Sequence, residues 1–405
     1  MNRFLFGIFL LFVSCMGIKG QSTGDSIVAS LLTCSPGTKA YSLYGHTGLR
    51  VKNVTQGLDV VFNYGVFDFR RPHFTWHFIL GECDYEVAGY PFAAFMEEYE
   101  KRGSSVIEQT LNLTQEEANR LFAQLIINCQ PENKIYRYNF LLNNCTTRAR
   151  DQIEEAVTGK VVYEEGEEHP TYRDLLRRMT KEYPWTTVGN DLLLGARCDT
   201  VLSDRAAQFL PGQLMQYFAQ ARVFDAQGNR KPLVAKTEEL VAARPQAIPE
   251  EFPLSPLMVG LIMVASGLLI VVFEYLIRRQ LWGIDILLML LQGLAGCLLT
   301  FMFLFSKHPT VGSNWQIWLL NPIPLFCIFW VVKCAIQKRT CAYHYLNLLA
   351  IGLFIIFMPW IPQSFSALTL PLALLLLTRP ISYLIRYGRK EEVKSDGVKI
   401  DEVKK

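Results

Sequence analysis

The sequence predicts an α+β extracytoplasmic domain followed by a five-helix transmembrane bundle. Three observations lead there. Half of the 405 residues are hydrophobic, yet the long apolar runs are confined to 255–387. Residues 21–253 instead alternate like strands, carry capped helical stretches and turn often at glycine, as a water-soluble domain does. An apolar leader at the amino terminus directs that domain across a membrane. The overall charge of +3 hides a split. There are 24 lysines and arginines against 30 acidic residues in 21–253, and 16 against 7 elsewhere. An acidic domain is a poor partner for a phosphate backbone, so no nucleic-acid partner is expected. The basic excess lies beside apolar runs and reads as membrane topology.

In chain order, Met1–Gly20 has Arg3, an apolar stretch from Phe4 to Val13 and then small residues, the pattern of a signal peptide ending near Gly20–Gln21. Residues 21–253 form the exported domain, 254–387 the membrane domain and 388–405 a charged cytoplasmic tail. Leu43–Val51 turns at Gly45 and then alternates, with Thr47, Leu49 and Val51 on one face and His46, Gly48 and Arg50 on the other. After a turn at Gly57, Asp59–Tyr64 completes a hairpin, with Asp59 and Asn63 opposite Val60 and Phe62. Residues 62–78 are dense in aromatics: Phe62, Tyr64, Phe67, Phe69, Phe74, Trp76 and Phe78. They read first as core packing, and more sharply as a greasy channel for an acyl chain. His73 and His77 lie among them, but no third ligand stands at a diagnostic spacing, so no metal is expected.

Tyr90–Lys101 reads as a helix and Ser104–Leu113 as a strand. Thr114 and Glu117 make a capping box for a helix running to Asn128. Ile135–Leu142 reads as a strand that stops at Asn143-Asn144, and a helix follows over Thr146–Val157. Further helices are expected at 171–180 and 203–222, with 225–254 as a linker. Five apolar runs then follow, at 255–277, 283–305, 316–336, 343–361 and 365–385, each long enough to cross a bilayer. Arg278, Arg279, Lys338, Arg339, Arg386, Arg389 and Lys390 mark the cytoplasmic side, which leaves residues 21–253 outside. Glu274, Asp285, Lys333, His344 and Arg379 fall toward the cytoplasmic ends, where they are expected to snorkel. No charged row lies at the midplane, which argues against a pump or transporter.

Chemistry concentrates at Asn143-Asn144-Cys145-Thr146. Asn143 or Asn144 can cap the helix, and Cys145 in its first turn sits where the positive end of the helix dipole stabilises a thiolate. Five cysteines lie in the exported domain, Cys34, Cys83, Cys129, Cys145 and Cys198, and an odd number leaves at least one thiol free within the chain. His46 can take the proton of Cys145. Asn63 best suits the third position that orients the imidazole, with Asp59 as the alternative. The backbone N–H of Cys145 would face an oxyanion. Spacing alone supports acyl transfer or hydrolysis by a cysteine, with no cofactor.

Gly45-His46-Thr47-Gly48-Leu49-Arg50-Val51 followed by Asn143-Asn144-Cys145-Thr146 resembles a circularly permuted papain-like (NlpC-like) fold, in which the histidine strand precedes the cysteine helix. Tyr172-Arg173-Asp174-Leu175-Leu176, Pro184-Trp185, Asp191–Gly195, Phe209-Leu210-Pro211 and Asn321-Pro322 in the membrane part are similar to the pattern of the Lnb-type family of Bacteroidota. The resemblance implies a lipoprotein N-acyltransferase, or a relative of it with another role, in the inner (cytoplasmic) membrane with its catalytic domain in the periplasm. Its implied partners are a phospholipid acyl donor and a diacylglyceryl lipoprotein acceptor. Two other readings compete: a membrane-anchored periplasmic cysteine peptidase or amidase acting on cell-wall peptide, and a non-catalytic envelope protein. Five spanning helices exceed what a tether requires.

Overall fold

The computed structural model describes residues 26–402 except 69, 71, 167, 249 and 250, with side chains described as far as Tyr387. The leader at 1–20, Phe69 and the side chains of the 388–405 tail lie outside the described residues. The exported domain is built on a seven-stranded antiparallel sheet. In chain order its strands are β1 (Ile27–Cys34), β2 (His46–Asn53), β3 (Leu58–Val66), β4 (Asp84–Pro91), β5 (Val106–Leu111), β6 (Ile135–Arg137) and β10 (Val234–Val241). Their order across the sheet is β10-β5-β1-β2-β3-β4-β6. β7 (Lys160–Val162), β8 (Arg222–Phe224) and β9 (Arg230–Pro232) make a second, small sheet.

Helices cover both faces of the large sheet. On one, Leu31, Leu49, Val51, Val60 and Phe62 pack against Leu121 and Leu125 of the Gln115–Asn128 helix and against Ala149 and Ile153 of the Cys145–Ala156 helix. On the other, Leu32 and Val61 meet Phe95 and Tyr99 of the Phe92–Arg102 helix. The predicted hairpin is present as β2–β3, and the Thr114–Glu117 capping box opens its helix as expected. Three expectations change. The strand read over Ile135–Leu142 ends at Arg137, because Asn139 and Asn143 bond to each other's backbone and close a turn. The stretch 225–254 is not a plain linker, since Val234–Val241 pairs with β5 as the edge strand of the main sheet. The helix read over 203–222 breaks into Asp204–Ala207 and Pro211–Gln220, with Pro211 starting the second piece.

Five helical segments are long and apolar enough to span a membrane: Pro256–Ile277, Trp282–Phe305, Gln316–Ile336, Ala342–Trp360 and Thr369–Tyr387. Their bounds fall within a few residues of the runs read from the sequence. The third is interrupted between Gln316–Leu319 and Ile323–Ile336, at Asn321-Pro322. The side chains of Gln292 and Asn321 take up the Leu319 and Trp318 carbonyls there, so the break leaves no bare polar backbone at those two positions. The intramembrane charges do not snorkel as a group. Arg379 bridges Glu274 at 2.8 Å and Asp285 at 2.7 Å, joining the fifth span to the first and second, and all three side chains are buried. Mutual pairing offsets their desolvation, which a lone charge could avoid only by reaching the interface.

The exported domain rests directly on the bundle. The Gly195 N–H donates to the Thr310 carbonyl, and Asn314 donates to that of Leu192. A Cβ at Gly195 would stand 2.6 Å from the Asn314 nitrogen, so only glycine permits this approach. Arg177 donates to the Phe365 carbonyl between the fourth and fifth spans.

Candidate active site

Cys145 is the first residue of its helix, and Asn144 is the cap. The Asn144 Oδ1 accepts from the backbone N–H groups of Thr146 and Thr147, each at 2.9 Å, while the Thr147 hydroxyl accepts from the Asn144 N–H. Asn144 Nδ2 donates to the carbonyls of Phe140 and Phe209, so this buried side chain is saturated and the helix start is held from two sides. Asn143, the other asparagine considered, instead ties Arg137 to Arg148. Phe209 belongs to the Phe209-Leu210-Pro211 motif, which therefore acts on the site through a backbone carbonyl.

His46 opens β2, and Asn63 lies on β3 opposite Gly48. Asn63 Oδ1 is 3.1 Å from His46 Nε2. A carbonyl oxygen there accepts, so Nε2 carries the proton and Nδ1 is left for the thiol. The His46 ring and the Thr47 backbone N–H lie close enough to the Cys145 sulfur to act on its charge, and the Thr146 hydroxyl stands 3.8 Å from it. Gly48 makes this possible: a Cβ at that position would lie 3.3 Å from Asn63 Oδ1 and 2.9 Å from a Val61 methyl. Thr47 and Thr146 hydroxyls meet at 3.1 Å and pin the strand to the helix. Asp59, the alternative to Asn63, is four residues earlier on β3 and is held by Arg50 at 2.6 Å. The geometry thus brings together Cys145, His46 and Asn63, and leaves Asp59 elsewhere.

Electrostatics at the pair favour an ion pair. Burial pushes the Cys145 thiol up, but the His46 charge and hydrogen bond, the Thr47 N–H and the Thr146 hydroxyl outweigh it and bring the thiol below its ordinary value. Burial alone would lower His46; the thiolate and the Cys145 and Asn63 hydrogen bonds outweigh it and raise the imidazole. Cys34, the cross-strand partner of His46, shows the contrast. Its burial is not outweighed, and its thiol is pushed far up. The five cysteines of the exported domain are all free thiols, so an odd count did not by itself single out Cys145.

The pair is expected to show itself in alkylation of Cys145 by iodoacetamide against pH. Because the folded thiol titrates low, the wild-type midpoint should lie below the ordinary thiol value of about 8.5. In His46→Ala burial acts unopposed by the imidazolium, so the midpoint should rise past that value. An identical midpoint in both proteins would contradict the pairing.

Sequence reasoning singled out Phe67, Phe74 and Phe78 but missed the tyrosines beside the thiol. Tyr136 and Tyr138 flank the thiol, and burial followed by the Cys145 charge pushes both hydroxyls up. From Tyr138 a row of rings leads away from the sulfur: Tyr85 at 4.1 Å, Phe67 at 4.8 Å from Tyr85, Phe74 at 6.1 Å and Phe78 at 6.4 Å in succession. The row ends at Phe78, which meets His308 of the loop after the second span, and Trp76 on the same short helix lies 5.1 Å from Phe301 of that span. A cleft of about 400 Å³ lined by Leu141, Leu142 and Thr310, among others, opens between the loop before Cys145 and the same membrane loop.

The family model of the Lnb N-terminal periplasmic domain matches residues 17–178, and that of the Lnb transmembrane domain matches residues 248–391. The chain belongs to the Lnb-type family. It is a multi-pass membrane protein with a periplasmic domain. No curated protein and no solved structure matches it. The Lnb periplasmic match spans His46, Asn63 and Cys145 together, and the Lnb transmembrane match spans all five spans.

Proposed function

We propose that this protein is a lipoprotein N-acyltransferase of the inner membrane. In this reading Cys145 takes an acyl chain from a phospholipid as a thioester and passes it to the N-terminal amine of a diacylglyceryl-cysteine lipoprotein. The observation that carries the reading is a thiol beside an imidazole at a helix start, from which a row of aromatic rings runs to the loop after the second span. A peptidase working on wall peptide in solution has no use for that row. The domain reads as permuted papain-like: histidine strand first, cysteine helix second, asparagine on the far nitrogen of the imidazole.

The thiolate attacks the donor's ester carbonyl. A C–S bond forms, the C–O bond breaks, and the imidazolium of His46 gives its proton to the departing lysophospholipid oxygen. The acceptor amine then attacks the thioester carbon and loses a proton to His46. A C–N bond forms, the C–S bond breaks and the thiolate returns. Asn63 keeps the ring in the tautomer and orientation that both proton transfers need. The Cys145 N–H, at the positive end of its helix, faces the oxyanion in each half.

Mass spectrometry of lipoprotein N-termini, from cells with and without this protein, tests the reading. Triacylated termini are expected with it, and diacylated termini bearing a free amine without it. Termini that are the same in both would refute it.

A further inference from the structure

The Phe74–Leu80 helix has no fully buried side chain, although five of its seven residues are Phe74, Trp76, Phe78, Ile79 and Leu80. Trp76 and Phe78 are 50% and 52% exposed. So short a helix has little stability in water by itself. Its last carbonyls are instead fixed by the loop that follows the second span. Phe78 accepts from the His308 ring at 2.8 Å, Ile79 from the Ser306 hydroxyl at 2.7 Å and Leu80 from the Lys307 N–H at 2.8 Å. This sets the height of the helix against the outer end of the Trp282–Phe305 span. Trp76 packs on Phe301, which lies one helical turn, about 5.4 Å, inside that end. The apolar face therefore lies level with the last turn of that span, beside its exposed Phe303, Leu304 and Phe305.

We propose that this helix lies in the outer leaflet with Trp76 and Phe78 against phospholipid chains, and that the row Phe78, Phe74, Phe67, Tyr85 and Tyr138 is the surface along which a donor's acyl chain reaches Cys145. Two continuities support this occupant. The row runs from Tyr138, beside the thiol, to Phe78 against His308 of the loop after the second span, and its outer end is its most exposed part. Lipid contact stands on the geometry alone, whereas the chain route rests on the acyl-transfer reading.

The test uses the full chain in vesicles of phosphatidylethanolamine and phosphatidylglycerol. Benzoylphenylalanine in place of Phe78 is expected to cross-link to phospholipid on irradiation. The same probe at Val54, in the turn at the far end of β2 from His46, is expected not to. Failure at Phe78, or equal cross-linking at both positions, overturns the lipid contact. For the route, the Trp76→Ser/Phe78→Ser double variant is expected to load Cys145 from vesicle phospholipid about tenfold more slowly or worse, the scale of losing two aromatic contacts with hydrocarbon. Its alkylation by iodoacetamide should stay at the wild-type rate, which separates lost lipid access from a damaged thiol. Wild-type loading by the double variant overturns the route. A wild-type protein that never loads Cys145 refutes the acyl-transfer reading and the route with it, while cross-linking still decides lipid contact.

Discussion

Replacing Cys145 by serine is expected to lower acyl transfer by about four orders of magnitude or more, the scale of removing a nucleophile that works as a unit with its base. The fold should survive. The hydroxyl is close in size to the thiol, the cap comes from Asn144, and the Ala149 and Ile153 packing lies further along the helix. What disappears is the low-titrating anion. The arrangement of His46, Thr47 and Thr146 lowers a thiol that starts near 8.5, but a hydroxyl starts far too high for the same contacts to ionise it.

The Arg173→Ala variant is expected to be destabilised by about 3–5 kcal/mol, the usual cost of stranding buried carboxylates. Arg173 is 1% exposed, and its guanidinium donates to Asp191, to both oxygens of Asp199 and to the carbonyls of Leu194 and Gly195. Removing it leaves Asp199 without its cation and Asp191 with Arg177 alone. The damage should spread, because Asp191 also holds Arg177, which reaches the loop between the last two spans, and Gly195 makes the backbone contact with Thr310. A thermal-unfolding scan in detergent would read the loss. Arg173→Lys should not restore stability, since one ammonium cannot reproduce a fork aimed at several acceptors. An Arg173→Ala protein as stable as wild type would remove this network from the account of how the domain is seated on the membrane.

Much of the site was legible because its signals are local. Asn144 and Cys145 are adjacent in sequence, and a cap followed by a small polar residue announces a helix start. Alternation within β2 and β3 put His46, Gly48 and Asn63 on one face, and Gly48 marked the gap that Asn63 fills. The five spans follow from length and hydropathy alone. What stayed hidden depends on partners far apart in the chain. Strand β1, Ile27–Cys34, is an apolar stretch without alternation, and its central place appears only once β2 and β5 flank it. Edge strand β10 carries lysine and glutamate on exposed positions, so it lacks the apolar alternation of a half-buried strand. The Arg379 cluster was misread for the same reason: Glu274, Asp285 and Arg379 come from three different spans, and each in isolation looks like a residue that should reach for water.

The central claim is that a phospholipid acyl chain passes through Cys145. Single turnover with acyl-labelled phospholipid, followed by acceptor lipoprotein, tests it most directly. Label is expected on the peptide containing Cys145 as a hydroxylamine-sensitive thioester, to leave it when acceptor is added, and to reach the acceptor amine at a matching rate, with neither event in Cys145→Ser. Transfer of label to the lipoprotein amine by the Cys145→Ser protein at the wild-type rate would contradict the account.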